Sequence, residues 1–263
     1  MNISLIGKRA LVGGSTQGIG KASAQLMASL GAEIILISRS EEKLKEVCAD
    51  LPTEHGQTHQ YVVADFSQPH QMKAAIHDFL GTFSNPIHIL INNTGGPPGG
   101  PVAEASIEEF YRAYDMHLAC NHHLAQALLP GMKEAEYGRI INVISTSVKI
   151  PIKGLGVSNT TRGAVASWAK TWSNEVAAFG ITVNNVLPGM TATNRLFQLI
   201  EKWSKDRSLT EEELVKGLKA TIPAARFAEP EEVANAIAFL ASPAASYING
   251  TSIPVDGGRT GAI

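Results

Sequence analysis

The feature that most constrains the fold of this 263-residue chain is a regular alternation of short apolar, β-branched segments with longer segments of helical periodicity. The apolar segments predict seven strands, at Arg9–Gly13, Glu33–Ser38, Gln60–Ala64, His88–Asn92, Arg139–Val143, Thr182–Leu187 and Thr251–Val255. Helical segments separate them, which is the order of repeated βαβ units. Such crossovers join parallel strands. The pattern therefore predicts an α/β fold with a doubly wound, seven-stranded parallel sheet and helices on both faces.

The same pattern predicts where the helices lie. They begin at Gly18, Glu41, Gln68 and Pro230, and two longer ones span Ile107–Lys133 and Val157–Phe179. A charged, helix-prone insertion occupies residues 193–222 after the sixth strand, where we expect a lid over a ligand site. With 44% apolar residues the chain can bury a full core, and residues 1–263 are predicted to form a single domain.

Composition excludes several kinds of partner. The net charge is −2, so no global field attracts nucleic acid or an anionic membrane, and small molecules are the expected partners. Cys48 and Cys120 form no disulfide or metal pattern, and His122 and His123 lack further ligands at metal spacing. The N-terminus does not resemble a signal peptide, and no apolar run is long enough to span a bilayer. We therefore expect a cytoplasmic protein without a bound metal.

A glycine-rich loop follows the first strand and opens the first helix, with Gly14, Gly18 and Gly20 in a Gly-x-x-x-Gly-x-Gly pattern. Glycines there let the backbone approach a pyrophosphate, whose charge the helix N-terminus stabilises, although the bare pattern also fits an ordinary βα turn. The second strand is followed by Arg39, where an NAD site would carry an acidic residue for the ribose 2′-hydroxyl. Arginine suits a 2′-phosphate, which favours NADP(H) over NAD(H). A solvated Arg39 beside a Ser40 helix cap is the alternative.

These and later motifs resemble the short-chain dehydrogenase/reductase family, of the type that reduces 3-oxoacyl-acyl-carrier-protein and similar ketones. The likeness runs from Leu5 to Gly258 and includes Asn-Asn-Thr-Gly after the fourth strand, Pro-Gly-x-x-x-Thr after the sixth and Val-Asp-Gly-Gly near the end. It implies a Rossmann-type fold and a nicotinamide cofactor. The loop and the resemblance together predict cofactor contacts from Gly14, Ser15, Gln17, Gly18, Ile19, Gly20, Ser38, Arg39, Ser40, Asp65, Phe66, Asn92, Thr94, Gly95, Arg162, Pro188, Gly189, Thr191 and Thr193.

The resemblance fails at the catalytic residues. The family's catalytic Asn, Ser, Tyr and Lys align in order with His117, Ser145, Ser158 and Arg162, so only the serine is retained. All five tyrosines lie outside the stretch from Ser145 to Arg162, and no shift of the alignment recovers the missing one. The alignment thus describes an atypical member that lacks the family's Tyr and Lys.

Two hypotheses about function follow. In the first, the chain is an NADP(H)-dependent enzyme that interconverts a carbonyl and an alcohol. His117 then supplies the proton, directly or through a water held by Ser145 and Ser158, while Arg162 binds the ribose and stabilises charge on the oxygen. Arg162 cannot relay protons, because arginine does not deprotonate in proteins. In the second, the chain is a catalytically silent NADP-binding protein, acting as a sensor or partner subunit. A polar residue at every changed position favours the first.

No motif names the substrate. Lys149 and Lys153 suit either an anionic substrate or ordinary solvated loop positions. Trp168 and Trp172 lie on one face of a predicted helix and fit either the core or a subunit contact. The resemblance implies that the two long helices pair between subunits, and we expect a homodimer or homotetramer.

Overall fold

The computed structural model describes residues 1–83 and 85–262, so residues 84 and 263 of the predicted domain lie outside the described residues. Seven parallel strands form one sheet in the order β3-β2-β1-β4-β5-β6-β7. In chain order, β1 to β7 are Arg9–Gly13, Glu33–Ser38, Gln60–Val63, Ile89–Asn92, Gly138–Val143, Ile181–Pro188 and Ser252–Val255. The predicted sheet is confirmed, and each predicted strand end agrees with the structure to within one residue.

Helices connect the strands and cover both faces of the sheet. In chain order, α1 to α9 are Gly18–Ser29, Glu41–Ala49, Pro69–Thr82, Ile107–Tyr114, Cys120–Glu134, Gly156–Val176, Asn194–Arg207, Glu211–Ala220 and Pro230–Ala241. The predicted insertion at residues 193–222 contains α7 and α8. Helix α3 begins one residue later than predicted, because Pro69 occupies its first turn, where a missing N–H costs nothing.

The long helical segment predicted at Ile107–Lys133 is present, but it is not α-helical throughout. A π-helical turn at Asp115–Ala119 separates α4 from α5, and it carries His117. The predicted helix at Val157–Phe179 also ends early. A 3-10 turn at Ala177–Phe179 tightens its end, and Gly180 follows at φ +71°, a left-handed conformation that closes a helix and that glycine adopts without strain.

The core has two layers, one on each face of the sheet. Helices α1, α2 and α9 pack on one face through residues such as Met27 and Ile237, and helices α3, α5 and α6 pack on the other through residues such as Met72 and Leu124. Neighbouring strand residues alternate between the layers, as Leu36 and Ile37 do on β2. Helices α7 and α8 have a smaller apolar cluster of their own.

The strand order reverses between β1 and β4, whose neighbours continue in opposite directions. In sheets of this kind, ligands bind in the crevice at the carboxyl ends of the strands beside that switch point. The glycine loop after β1 and the segment after β4 both lie at this edge. In the described ranges, no helix is both long and apolar enough to cross a membrane.

Candidate active site

The glycine loop forms a close-packed turn between β1 and α1. Gly14 and Gly18 have φ of +55° and +53°, which other residues adopt only with strain. A Cβ at Gly13 would lie 2.8 Å from the carbonyl oxygen of Asn93, and one at Gly20 would lie 2.8 Å from its Nδ2. Helix α1 has no acidic residue in its first turn and no side-chain cap at Gln17. Its first N–H groups are thus available to a phosphate, and the loop fits the pyrophosphate of a dinucleotide.

Asn93 fixes this loop to the fourth strand. Its Nδ2 donates to the carbonyl oxygens of Gly13 (3.2 Å) and Gly14 (3.4 Å). The Asn93 side chain therefore fixes the conformation of the turn. Asn93 was not among the predicted cofactor residues. Its position directly after β4, beside a loop whose carbonyl oxygens need donors, was the available signal.

Residues of the glycine loop contact the sheet, the insertion at residues 193–222 or the core. Ser15 is fully buried, and its hydroxyl donates to the carbonyl of Ile37 (3.4 Å) on β2, so this side chain braces the loop. Gln17 is exposed and accepts a weak hydrogen bond from Asn194 Nδ2 (3.5 Å) at the start of α7. Ile19 packs against the core of the first face. The base of the insertion consequently borders the glycine loop.

The predicted adenosine end lies at the edges of β2 and β3. Arg39 follows Ser38 at the end of β2 and is exposed, and within the described part of the chain its guanidinium has no hydrogen bond or ion pair. Ser40 precedes α2 without a side-chain cap bond. Asp65 is half-buried and accepts from the backbone N–H of Ser67 (2.9 Å). A guanidinium that suits a 2′-phosphate and a carboxylate that suits the amino group of an adenine therefore lie at this edge.

Phe66, Pro188, Gly189 and Thr191 are mainly engaged with the protein. Phe66 is buried, and its carbonyl accepts from Cys120 Sγ (3.3 Å). Gly189 lies where a Cβ would come within 2.7 Å of Asp256 Cα, and its N–H donates to Val255 (2.9 Å). Thr191 is buried beside it. Gly189 thus joins the end of β6 to the end of β7, and Phe66 joins the segment after β3 to α5.

Thr193 begins α7 and touches the glycine loop. Its hydroxyl accepts from the N–H of Leu196 (3.4 Å) as a helix cap. A Cβ on Gly18 would lie 3.1 Å from Thr193 Cγ2. The insertion therefore starts in contact with the turn that fits the pyrophosphate.

Asn92 ends β4, as predicted. Its side chain is 2% exposed and belongs to a buried polar ladder across four strands. Asn92 Nδ2 donates to Asn142 Oδ1 (2.8 Å), Asn142 Nδ2 to Asn185 Oδ1 (3.0 Å), and Asn185 Nδ2 to Ser252 Oγ (3.0 Å). These residues occupy paired positions on β4, β5, β6 and β7. The Asn92 side chain thus ties the sheet together, and its contact with a cofactor stays a prediction.

His117 and Thr94 form a buried pair at the end of β4. Thr94 Oγ1 and His117 Nδ1 share a hydrogen bond of 2.7 Å, and His117 is 1% exposed. Its Nε2 is buried and has no hydrogen-bond partner among the described residues. Burial, and then the nearby charge of Arg162, hold the pKa of His117 well below its ordinary value of 6.5. The imidazole is therefore neutral at physiological pH.

Arg162 is the buried cation of the site. It projects from α6, is 7% exposed, and donates from Nη1 to the carbonyl of Val143 (3.1 Å) at the end of β5. Burial, and then the charge of Arg195, lower the pKa of Arg162 to about 10. The side chain remains charged at neutral pH. A positive charge beside a neutral imidazole is an arrangement that attracts electron density on a substrate oxygen.

Ser145 and Ser158 both precede Arg162 along the chain. Ser145 follows β5, is half-buried, and accepts from the N–H of Ser147 (3.1 Å). Its own hydroxyl hydrogen is available to a ligand. Ser158 lies half-buried in the first turn of α6, four residues before Arg162, and so shares its helix face. Gly95 is exposed on the loop after Thr94.

Comparisons with known proteins show similarity along nearly the whole chain. A protein-family model described as enoyl-(acyl carrier protein) reductase matches residues 14–260. A tropinone reductase homologue of Arabidopsis thaliana is 34% identical over 257 residues, 98% of this chain and 94% of the relative. A 3-oxoacyl-[acyl-carrier-protein] reductase of Haemophilus influenzae is 33% identical, over 96% of this chain and 98% of the relative. The crystal structure of L-sorbose reductase from Gluconobacter frateurii, complexed with NADPH and L-sorbose, has 30% identity and a TM-score of 0.92 over 100% of both chains.

The fold and the cleft define a nicotinamide-dependent oxidoreductase, and the likenesses extend along nearly the whole chain. The chain belongs to the short-chain dehydrogenase/reductase family, as its motifs indicated. Members of this family are NAD(P)-dependent oxidoreductases that act on CH–OH and C=O groups.

Proposed function

We propose that the protein is an NADP(H)-dependent oxidoreductase that interconverts a carbonyl and an alcohol without a tyrosine acid. Its substrate class is that of 3-oxoacyl thioester and other ketone reductases. When bound, the nicotinamide supplies or accepts a hydride. The glycine loop would hold the pyrophosphate, Asp65 and Arg39 the adenosine end, and Pro188 and Gly189 would border the nicotinamide. The observation that carries the proposal is the buried, charged Arg162 at the same carboxyl edge of the sheet as a glycine turn that fits a dinucleotide.

The preference for NADP(H) rests on Arg39. An exposed guanidinium free of protein partners in the described ranges can form charge-assisted hydrogen bonds with a 2′-phosphate. Two similar structures are of NADPH enzymes: L-sorbose reductase in complex with NADPH, and an NADPH-dependent reductase of bacilysin biosynthesis. The second has a TM-score of 0.91 and 28% identity over 97% of this chain and 99% of the other. These support the same cofactor here.

Among the described residues, no tyrosine forms a hydrogen bond with a residue at the four catalytic positions, His117, Ser145, Ser158 and Arg162. Tyr137 donates to the carbonyl of Ala241 (2.7 Å), and Tyr61 donates to Glu41 (3.4 Å). The other three, each more than half exposed, are Tyr111, Tyr114 and Tyr247. The proton on the product alcohol therefore comes from another group.

The surroundings of His117 do not support the hypothesis that it is the general acid. A general acid must carry its proton near the working pH, and His117 is neutral there because burial and Arg162 disfavour its charged form. Its Nδ1 is also engaged with Thr94. We infer instead that His117 is a positioning residue that orients Thr94. The proton would then reach the oxygen from water, by way of the Ser145 and Ser158 hydroxyls.

Arg162 has the central chemical role in this proposal. As hydride adds to a carbonyl carbon, negative charge grows on the oxygen, and a cation fixed in a dry site stabilises that charge strongly. Ser145 would donate one hydrogen bond to the same oxygen. Arg162 aligns with the family's lysine and would also contact the ribose of the cofactor. The insertion at residues 193–222 would close over the substrate, starting from its contact with the glycine loop.

The test is a titration followed by an activity panel. NADPH binding is measured by quenching of the three tryptophans, and NADPH oxidation is then followed at its absorbance with ketones, sugars, quinones and oxoacyl thioesters. We expect turnover with at least one carbonyl class. Arg162→Met should lower the turnover number by about 10²–10³, the usual worth of an oxyanion donor, while Ser145→Ala should lower it less. Tight NADPH binding without turnover of any carbonyl would instead support a silent, NADP-sensing protein.

A further inference from the structure

Two arginines flank neighbouring residues of the loop at 95–101. Arg195, in the first turn of α7, donates from Nη2 to the carbonyl of Pro97 (2.7 Å). Arg162 approaches Gly96, where an added Cβ would lie 3.9 Å from its Nη2. Because consecutive Cα atoms are about 3.8 Å apart, both guanidinium groups lie along one short stretch of backbone.

The two arginines are not neutralised by any acidic residue that the structure describes. In the described part of the chain, no Asp or Glu forms an ion pair with Arg162 or Arg195. Arg162 Nε is buried without any hydrogen-bond partner there, on a side chain that is 7% exposed. Burial lowers the pKa of both guanidinium groups, and the charge of Arg195 lowers that of Arg162 further. A half-buried positive charge next to a buried one is an unfavourable arrangement that a bound anion relieves.

We propose that Arg195 and Arg162 form an anion site for the substrate, which carries a carboxylate or a phosphate close to its carbonyl group. This rests on the proposed function, whose substrate class it narrows. The planar fork of arginine matches both oxyanions. Arg195 would bind the permanent charge, and Arg162 would face the oxygen on which charge develops. Because the two groups border adjacent residues, the fitting substrates are short 2-oxo or 3-oxo acids, or the phosphate of a small ketone.

A merely mechanical role for Arg195 is the competing explanation. The Arg195–Pro97 hydrogen bond also fastens α7 to the loop at 95–101, and its loss would disturb any substrate. The two explanations differ in whether the charge of the substrate matters. A mechanical latch acts equally on charged and neutral substrates, whereas an anion site acts on the charged member of a pair alone.

The test uses matched substrate pairs with the full chain and NADPH. Acetoacetate is compared with methyl acetoacetate, and dihydroxyacetone phosphate with dihydroxyacetone; the first pair probes a carboxylate and the second a phosphate. We expect the anionic member of at least one pair to be preferred in kcat/KM. Arg195→Gln should reduce that preference by about 10- to 100-fold, the range of a hydrogen bond to a charged group, and chiefly through KM. The neutral members should be nearly unaffected.

Arg207→Gln is the matched control. It makes the same substitution on the same helix, 12 residues later and so about 18 Å along the axis, and it should leave the preference unchanged. An equal loss for charged and neutral substrates in Arg195→Gln would overturn the anion site in favour of the latch. So would turnover of both neutral members as efficient as that of their anions.

Calorimetric titration of acetoacetate and of dihydroxyacetone phosphate into the NADPH complex separates this proposal from the proposed function. Binding of either anion that is lost in Arg195→Gln supports the site even if no carbonyl is reduced. Reduction of neutral ketones without binding of either anion would overturn the site and leave the proposed function standing.

Discussion

Replacing Asn142 by leucine tests the ladder that joins four strands. Asn142 is fully buried, accepts from Asn92 Nδ2 (2.8 Å), and donates to Asn185 Oδ1 (3.0 Å) and to the carbonyl of Asn184 (3.4 Å). Leucine has the same branched shape and the same number of side-chain heavy atoms, so the change leaves no cavity. It does leave Asn92 Nδ2 and Asn185 Oδ1 buried without those partners. At about 1–3 kcal/mol for each orphaned group, Asn142→Leu should destabilise the fold by about 2–6 kcal/mol.

Urea unfolding followed by circular dichroism measures this loss. A total stability of about 5–15 kcal/mol is usual for a domain, so the midpoint should shift far toward low urea while the slope m is unchanged. Ser252→Ala, at the half-buried end of the ladder, is the matched control and should cost only about 0.5–1.5 kcal/mol. If Asn142→Leu costs no more than Ser252→Ala, the ladder does not stabilise the sheet and our reasoning is refuted.

Three further predictions concern the cofactor, pH and assembly. Arg39→Ala should lower the ratio of NADPH to NADH affinity by one to two orders of magnitude, since a charge-assisted bond is worth about 1.5–3 kcal/mol; equal affinities in the unaltered protein, by tryptophan quenching, would contradict this. The pKa values of His117 and His88 in the folded protein lie below 6.5; burial and the charges of Lys8 and Arg9 lower that of His88 to about 4. Below pH 6.5 the unfolded chain therefore binds protons that the folded chain does not. Stability should therefore be complete above pH 6.5 and fall as the pH drops from there, with a shallower fall in His117→Gln; melting temperatures that fall equally in both proteins would count against a neutral His117. Light scattering at micromolar concentration should give a dimer or tetramer, because α4 exposes an apolar face, with Tyr111 63% exposed; a monomer would refute this.

The architecture was predictable because both faces of the sheet are covered. Strands such as Ile89–Asn92 then need apolar residues at nearly every position, and this produces short apolar runs that stand out from the helical periods between them. The glycine loop and Asp65 were predictable for a related reason. Their places follow directly from the ends of those strands, and a parallel sheet brings all such ends to one edge.

The site was less predictable, because its key contacts join residues far apart in sequence. Asn92 and Asn142 are 50 residues apart, and each alone has the character of a polar strand end. Arg195 lies among the charges of the insertion and resembles a solvated helix residue until the fold brings it to Pro97, 98 residues away. The lowered pKa of His117 depends on burial and on Arg162, and neither is encoded by its neighbours along the chain.

The π-helical turn at Asp115–Ala119 bears on how this active site could have arisen. Such a turn contains one residue more than an α-helical turn, so removing a single residue from it would restore a continuous helix and leave α4 and α5 in their present orientations. The same deletion elsewhere would rotate one helix by about 100° against its neighbours and bury the wrong face. His117 lies within the turn. During evolution, a one-codon insertion or deletion at this point can therefore add a side chain to the cleft, or remove one, while the core stays intact.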